Sequence, residues 1–321
     1  MWRKIFMICF YVLLITNIVI GASIKKTGQA GMTFLDIGVG GRMMGMGDAF
    51  LPRSSDASAL FYNPAGITWI GKRNLFISHT QWLADISHNA ASMTIDLGVV
   101  GTIGLSLVYM DYGNFVGAKI DVNPDGKGYV KTGDFTVGEW ALGIAYGRQL
   151  IDRFSIGGQM KWVHQDLGSH TVFRVVEGLP DYESPYQYEA KKDIPVFDYG
   201  TIYNTGFREI YLSLYIRNFT PEVKYIREQF DLPLTFNIGV SSELFTLIGQ
   251  PKEDQSVAIS IESVNPRDWS ERMRIGLEYN FNNLFYLRTG YKFDYSVENF
   301  TAGVGLNWNS EFGMMRFDYA Y

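Results

Sequence analysis

The sequence predicts an all-β chain: a transmembrane antiparallel β-barrel of about 14 strands with an N-terminal hatch or plug segment. Three observations carry that expectation. From residue 73 onward, apolar residues alternate with polar or tiny ones at period two, segment after segment. The connections between these segments alternate between short turns and long irregular stretches, as in outer-membrane barrels. Beyond residue 20 no apolar run approaches the length that a membrane-spanning helix needs.

Composition narrows the alternatives. Of 321 residues, 47% are hydrophobic, 15% aromatic and 19% charged, which excludes a disordered chain. A single Cys excludes a disulfide scaffold. Formal net charge is −5, and no basic stripe is visible, so a nucleic-acid partner is not expected. The basic head Arg3-Lys4, the apolar run 5–20 and the small residues Gly21-Ala22-Ser23 predict a cleaved secretory signal over 1–23. Cys9 lies inside that run, so the mature chain is expected to have no thiol chemistry. The expected division is 1–23 signal, 24–72 hatch inside the barrel, and 73–321 barrel.

Thirteen segments show the alternation, near 73–82, 88–97, 101–110, 135–148, 154–167, 191–203, 209–218, 233–242, 256–265, 271–280, 284–293, 299–308 and 313–321. In the tenth, Met273, Ile275, Leu277 and Tyr279 alternate with Arg272, Arg274, Gly276 and Glu278. Long irregular stretches are expected near 111–134, 168–190 and 219–232. Single-chain barrels normally have an even strand number. The odd count therefore predicts one more strand, overlooked within 219–232 or 243–255, or missing from the end of this chain.

Alternation alone also suits a secreted soluble β-sandwich. Segment lengths near ten residues suit a tilted crossing of the bilayer. Aromatics cluster near segment ends, among them Trp82, Tyr109, Trp140, Trp162, Phe281 and Trp308, where interfacial girdles belong. The opposite face mixes Gly, Ser and charges of both signs, as a wetted interior would.

Residues 28–72 break the pattern, with Gly at 28, 31, 38, 40, 41, 45 and 47. Gly38-Val39-Gly40-Gly41-Arg42, Gly45-Met46-Gly47-Asp48-Ala49-Phe50 and the run from Asp56-Ala57-Ser58 to Asn63-Pro64-Ala65-Gly66 together resemble the N-terminal signature of PorV/PorQ proteins, within the wider FadL-like barrels. The resemblance implies an outer-membrane barrel of a Gram-negative bacterium, with Arg42, Gly45, Gly47, Asp48, Asp56, Ser58, Asn63 and Pro64 in the hatch motif. It implies a non-enzymatic role in type IX secretion, with secretion-system proteins or exported cargo as partners. The FadL side of the resemblance implies the alternative, uptake of long-chain fatty acids or another hydrophobic small molecule. In that family an Asp-Tyr-Ala-Tyr stretch usually precedes a closing strand, whereas here Asp318-Tyr319-Ala320-Tyr321 ends the chain.

Catalytic patterns are missing. The histidines at 79, 88, 164 and 170 lack metal-ligand spacing, the 38–47 glycines fail the dinucleotide fingerprint, and no Gly-x-Ser-x-Gly occurs. No cofactor is expected. Asp121, Asn123 and Asp125, followed by Gly126, match the opening of a calcium loop, but Thr132 stands where a bidentate Glu belongs. A solvated outer turn accounts for the same residues. Arg42, Asp48 and Asp56 are expected to pair with lumen charges such as Arg272, Arg274, Glu278 and Arg288, either as a latch or because buried charge requires it. Phe173, Val175 and Leu179 in one long loop, with Phe230 and Leu232 in the next, are candidates for a hydrophobic docking surface or for a fold over the pore.

Overall fold

The computed structural model describes residues 30–321 except 53–55, 121–126, 177–178, 222, 225–228 and 312. The expected signal at 1–23 and the calcium candidates Asp121, Asn123 and Asp125 lie outside the described residues.

Residues 30–72 form short turns: 3-10 helices at Thr33–Asp36, Ala57–Phe61 and Pro64–Trp69, and one turn of α-helix, α1 (Gly41–Met44). The motif residues explain them locally. Asp56 caps the second 3-10 helix, its Oδ1 accepting from the Ser58 amide at 2.9 Å. Asn63 caps the third, accepting from the Ala65 amide at 3.0 Å, and Pro64 follows at the first helical position. Gly47 and Asp48 both take left-handed backbone conformations, which turns the chain sharply after α1.

Among the described residues, seventeen strands follow in chain order: β1 (Arg73–Gln81), β2 (Ser87–Asp96), β3 (Thr102–Asp111), β4 (Phe115–Ile120), β5 (Tyr129–Phe135), β6 (Gly138–Ile151), β7 (Phe154–Val176), β8 (Leu179–Asn204), β9 (Tyr211–Phe219), β10 (Val223–Lys224), β11 (Gln229–Phe230), β12 (Thr235–Glu243), β13 (Gln255–Pro266), β14 (Arg272–Phe281), β15 (Phe285–Phe293), β16 (Phe300–Ser310) and β17 (Gly313–Ala320). Thirteen of them form one antiparallel sheet in the order β1-β2-β3-β6-β7-β8-β9-β12-β13-β14-β15-β16-β17, while β4-β5 and β10-β11 are separate two-stranded pairs. The thirteen match the expected segments. No helix among the described residues is long and apolar enough to cross a membrane.

Three expectations need correction. The described residues of 168–190 are strand, not irregular loop: β7 and β8 run on as an antiparallel pair whose register reaches Val176↔Leu179. The stretch 111–134 carries the β4-β5 hairpin. The strand sought within 219–232 or 243–255 is not in the sheet; the described residues there give the small β10-β11 pair and one helical turn, α2 (Leu244–Leu247).

The burial pattern is inverted relative to a water-soluble sheet. In β3, Leu105 is 46% exposed while its neighbour Ser106 is 5% exposed. The same holds around the sheet: Ile144, Met160, Leu214, Val240, Leu287 and Val304 face out, while Gln159, Ser213, Asn237, Glu262, Glu278 and Arg288 are buried. Apolar outward faces with polar inward ones are what lipid outside and protein inside require. Short connections at 97–101, 152–153, 205–210 and 282–284 mark one end and the β4-β5, β7-β8 and 220–234 excursions the other, so the short-turn end is periplasmic. Replacing Leu105 by Arg should cost about 2–4 kcal/mol in equilibrium unfolding from bilayers, as expected for a cation near the lipid midplane; an unchanged unfolding midpoint would place this face away from lipid.

Candidate functional site

The candidate site is the interior, where residues 30–70 lie against the inward side chains of the sheet. On the β13–β17 side the contacts are charged. Arg42 donates from Nε and Nη2 to the two Glu278 oxygens at 2.9 and 2.8 Å. Glu278 also accepts from Arg288 Nε at 2.7 Å, and Arg288 Nη1 lies 2.7 Å from Asp318. Asp56 sits 3.9 Å from Arg42 and 3.7 Å from Arg316. Asp48 pairs with Lys292 at 2.6 Å and accepts from the Tyr62 hydroxyl at 3.0 Å. Glu262 accepts from the Phe50 amide at 2.9 Å and from the Tyr215 hydroxyl, and Ser260 donates to the Phe50 carbonyl at 2.7 Å.

On the β1–β9 side the contacts are close approaches and backbone bonds. A Cβ built on Gly157 would stand 2.4 Å from the Ala65 nitrogen and the Pro64 carbonyl carbon. Asn63 lies against Gly200 and donates to the Thr201 carbonyl at 3.2 Å. Asn74 accepts from the Ala57 amide at 2.8 Å, Ser92 donates to the Ala57 carbonyl at 2.8 Å, and Thr68 bonds Ser155 at 2.9 Å. Strand glycines at inward positions recur on the charged side too, where Gly290 admits the Met46-Gly47 backbone.

The expected pairings therefore come together in part. Arg42 meets Glu278 directly, Arg288 shares that carboxylate, and Asp56 reaches Arg316. Arg274 reaches the Asp48 carbonyl at 3.5 Å, whereas Arg272 instead packs over Trp269 and Tyr295, at 4.7 and 4.3 Å from the ring centroids. Lys292, Glu262, Gly157 and Gly290 were missed by sequence reasoning, although Gly inside an alternating strand is itself the mark of a close backbone approach.

The loop candidates fall in two places. Leu232 is buried, and Phe230 packs its ring on Gly31. Asp231 bridges to Ala30, accepts from the Gly31 amide at 2.9 Å and pairs with Arg267 at 3.0 Å. This loop folds over the N-terminal segment because its apolar residues find an apolar surface there. Phe173, Val175 and Leu179 belong to the paired ends of β7 and β8. At the short-turn end the interior opens into a cavity of about 770 Å³, floored by Arg42, Glu278 and Arg316 and walled by Trp69, Tyr211 and Tyr286.

A family model described as type IX secretion system membrane protein PorP/SprF matches residues 128–321, more than half of the chain. The chain belongs to the PorP/SprF family. The match begins after the motif at 38–66, so membership rests on the barrel and not on the signature that resembles PorV/PorQ. Among solved structures, the toluene transporter TbuX of Ralstonia pickettii has a TM-score of 0.53 at 13% identity, over 88% of this chain and 92% of that one. The CymD monoaromatic hydrocarbon channel scores 0.51 at 12% identity, again over 88% and 92%. A Pseudomonas aeruginosa FadL homologue scores 0.48 at 13% identity, over 92% and 89%. At such identities the first two likenesses are of fold. No curated protein matches significantly. A PorP/SprF-family chain whose strands turn apolar side chains outward is an outer-membrane β-barrel of a Gram-negative bacterium.

Neighbouring glycines on β7 offer a test of the docking. Gly157→Ala forces a methyl into the Pro64-Ala65 backbone and should destabilise the barrel by about 1–3 kcal/mol. Gly158→Ala makes only ordinary van der Waals contacts, with the Tyr199 ring at 3.6 Å and the Asp198 carbonyl at 3.8 Å, and should change little. Thermal unfolding in detergent, with proteolysis of residues 30–70 as second readout, compares the two.

Proposed function

We propose that this PorP/SprF-family barrel is a non-enzymatic, plugged component of the type IX secretion machinery, of the PorV/PorQ kind, with residues 24–72 as its hatch. Its outer hairpins take up exported cargo or a secretion partner. The observation that supports this reading is the filled interior: residues 30–70 touch the wall through ion pairs on one side and backbone approaches on the other. A macromolecule then finds free surface at the ends. The outer end offers β4-β5, where Phe115, Val116, Tyr129, Val130 and Phe135 are exposed and Phe115 stacks on Phe135 at 5.5 Å. Exposed apolar patches of this kind mark binding surfaces.

In this reading Arg42, Asp48, Asp56, Ser58 and Asn63 hold the hatch in place and take no part in chemistry. Replacing residues 115–135 by a short Gly-containing turn should abolish pull-down of cargo or machinery subunits and reduce cargo secretion at least tenfold. Heat-modifiable gel migration should stay intact. Normal secretion by that variant would refute the proposed role of the hairpin. Saturable uptake of a fatty acid or a monoaromatic compound, unaffected by the same deletion, would favour the FadL-like alternative. In planar bilayers the wild-type barrel should show no stable conductance, and deletion of residues 30–70 should open one.

A further inference from the structure

The outer end of the β13–β16 wall carries a cation that the interior does not use. Five basic residues occur from β13 through β16, and four have a carboxylate within 4.0 Å: Arg267 with Asp231 at 3.0 Å, Arg274 with Glu262 at 4.0 Å, Arg288 with Glu278 at 2.7 Å and Lys292 with Asp48 at 2.6 Å. Arg272, the first residue of β14, is the fifth. Among the described residues its side chain has neither an ion pair nor a hydrogen bond.

What Arg272 has instead is two rings. Its guanidinium carbon lies 4.7 Å from the centroid of Trp269, in the β13–β14 loop, and 4.3 Å from that of Tyr295, in the β15–β16 loop. Tyr295 is fixed in turn, its hydroxyl accepting from Arg274 Nε at 2.9 Å. Both loops lie at the end opposite the short 282–284 turn, which is the outer one, and Trp269 is 42% exposed there. Aromatic rings attract a guanidinium and shed water from its faces, but they leave its N–H groups to another partner. Arg, Trp and Tyr are also the residue types that most often dominate the energy of protein–protein contacts. Strand alternation gives Arg272 the inward side of β14 with Arg274 and Glu278, while Met273 between them takes the lipid side. The cation therefore belongs to the mouth of the barrel and not to the lipid headgroups.

We propose that Arg272, held by Trp269 and Tyr295, anchors a carboxylate of a protein partner at the outer end, an Asp or Glu side chain of an exported or machinery protein. Water meets the Arg272 N–H groups in the free protein. A carboxylate displaces it with a net gain, because it accepts two of those groups at once and hydrogen bonds between charged groups are about twice as strong as neutral ones. The two rings have already immobilised the guanidinium, so less ordering is left to oppose binding. Trp269, exposed beside the charge, offers apolar surface to the residues flanking the carboxylate. This assignment rests on the reading of the outer end as a protein-binding surface and adds the chemistry of one contact to it.

The test uses the full chain purified in detergent and two synthetic probes with blocked ends, one alternating Leu and Glu, the other Leu and Gln. Calorimetry should show the Glu peptide binding about tenfold tighter than the Gln peptide, and Arg272→Met should remove that preference. Arg272→Lys keeps the charge but not the fork, and should lose roughly threefold. Equal binding of the two peptides by the wild type, or an undiminished preference in Arg272→Met, would overturn the anchor. So would a fatty acid that binds through Arg272 while the Glu peptide does not. Should Arg272→Met fail to fold, the wild type's choice between the peptides and the Arg272→Lys series still decide. If replacing 115–135 stops secretion while Arg272→Met changes neither peptide binding nor secretion, the secretion reading stands and the anchor falls. A preference lost in Arg272→Met, alongside normal secretion in the 115–135 variant, supports the carboxylate contact and counts against the hairpin instead.

Discussion

Because the outward positions of the strands are given to lipid, the inward positions hold the polar and charged side chains, and those groups need partners on the inner side of the sheet. Residues 30–70 supply them. The carboxylate of Glu278 illustrates the constraint: it is buried on β14, and its charge is met at once by Arg42 of the segment and Arg288 of the next strand. Without the segment, Glu278 would retain one guanidinium, Lys292 would keep only the half-exposed Glu298, and Glu262 would lose the Phe50 amide. Removing one member of a buried pair costs about 3–5 kcal/mol, so the segment and the barrel wall stabilise each other.

The two halves of the wall solve the same problem differently. Strands β13–β17 carry long charged side chains that reach inward, and Arg42 and Asp48 meet them at ion-pair distance. Strands β6–β8 place glycines where residues 63–68 pass: Gly157 meets the Pro64-Ala65 backbone directly, while Gly147 and Gly200 leave room for the Ile67, Thr68 and Asn63 side chains. Charges fix the depth and orientation of α1, and the glycines fix how near the 3-10 turns can come. Asp56 belongs to both systems, capping Ala57–Phe61 while facing Arg42 and Arg316. The capping residue thus ties local chain geometry to the charge network.

Much of this was legible in the sequence, and the reasons differ by element. The thirteen sheet strands were readable because a lipid-facing strand must alternate strictly, as Leu287-Arg288-Thr289-Gly290-Tyr291-Lys292 does. The strand character of 168–190 was not readable: Gly168, Gly178 and the prolines at 180 and 185 read as loop, yet β7 and β8 pair across most of the stretch. Beyond the bilayer no lipid enforces alternation, so the periodic signal fades while pairing persists. The cap residues Asp56 and Asn63 declared themselves by type and spacing. The partner of Asp48 did not, because Lys292 is one of several inward cations and only the three-dimensional path of the segment selects it. Leu232 left two alternatives open for a related reason, since an apolar loop residue looks the same in sequence whether it meets solvent or is buried in a loop that folds back on the N-terminal segment.

The two ends of the interior are unequal, and this bears on how anything could reach it. At the loop end, the 220–234 excursion lies over the first residues of the segment, with Asp231 bonded to both Gly31 and Arg267. At the short-turn end, the cavity beneath Arg42, Glu278 and Arg316 is open and lined by both polar and aromatic groups. The Arg42–Glu278 pair borders this cavity yet is as buried as the Asp48–Lys292 contact deeper in, so neither is strongly screened by water. A molecule approaching from the periplasm meets the open cavity and the Arg42–Glu278 pair first, whereas one approaching from outside meets hairpins and a closed loop. Along the segment, α1 and the turn at Gly47-Asp48 join the Arg42–Glu278 contact beside the open cavity to the Asp48–Lys292 contact deeper in.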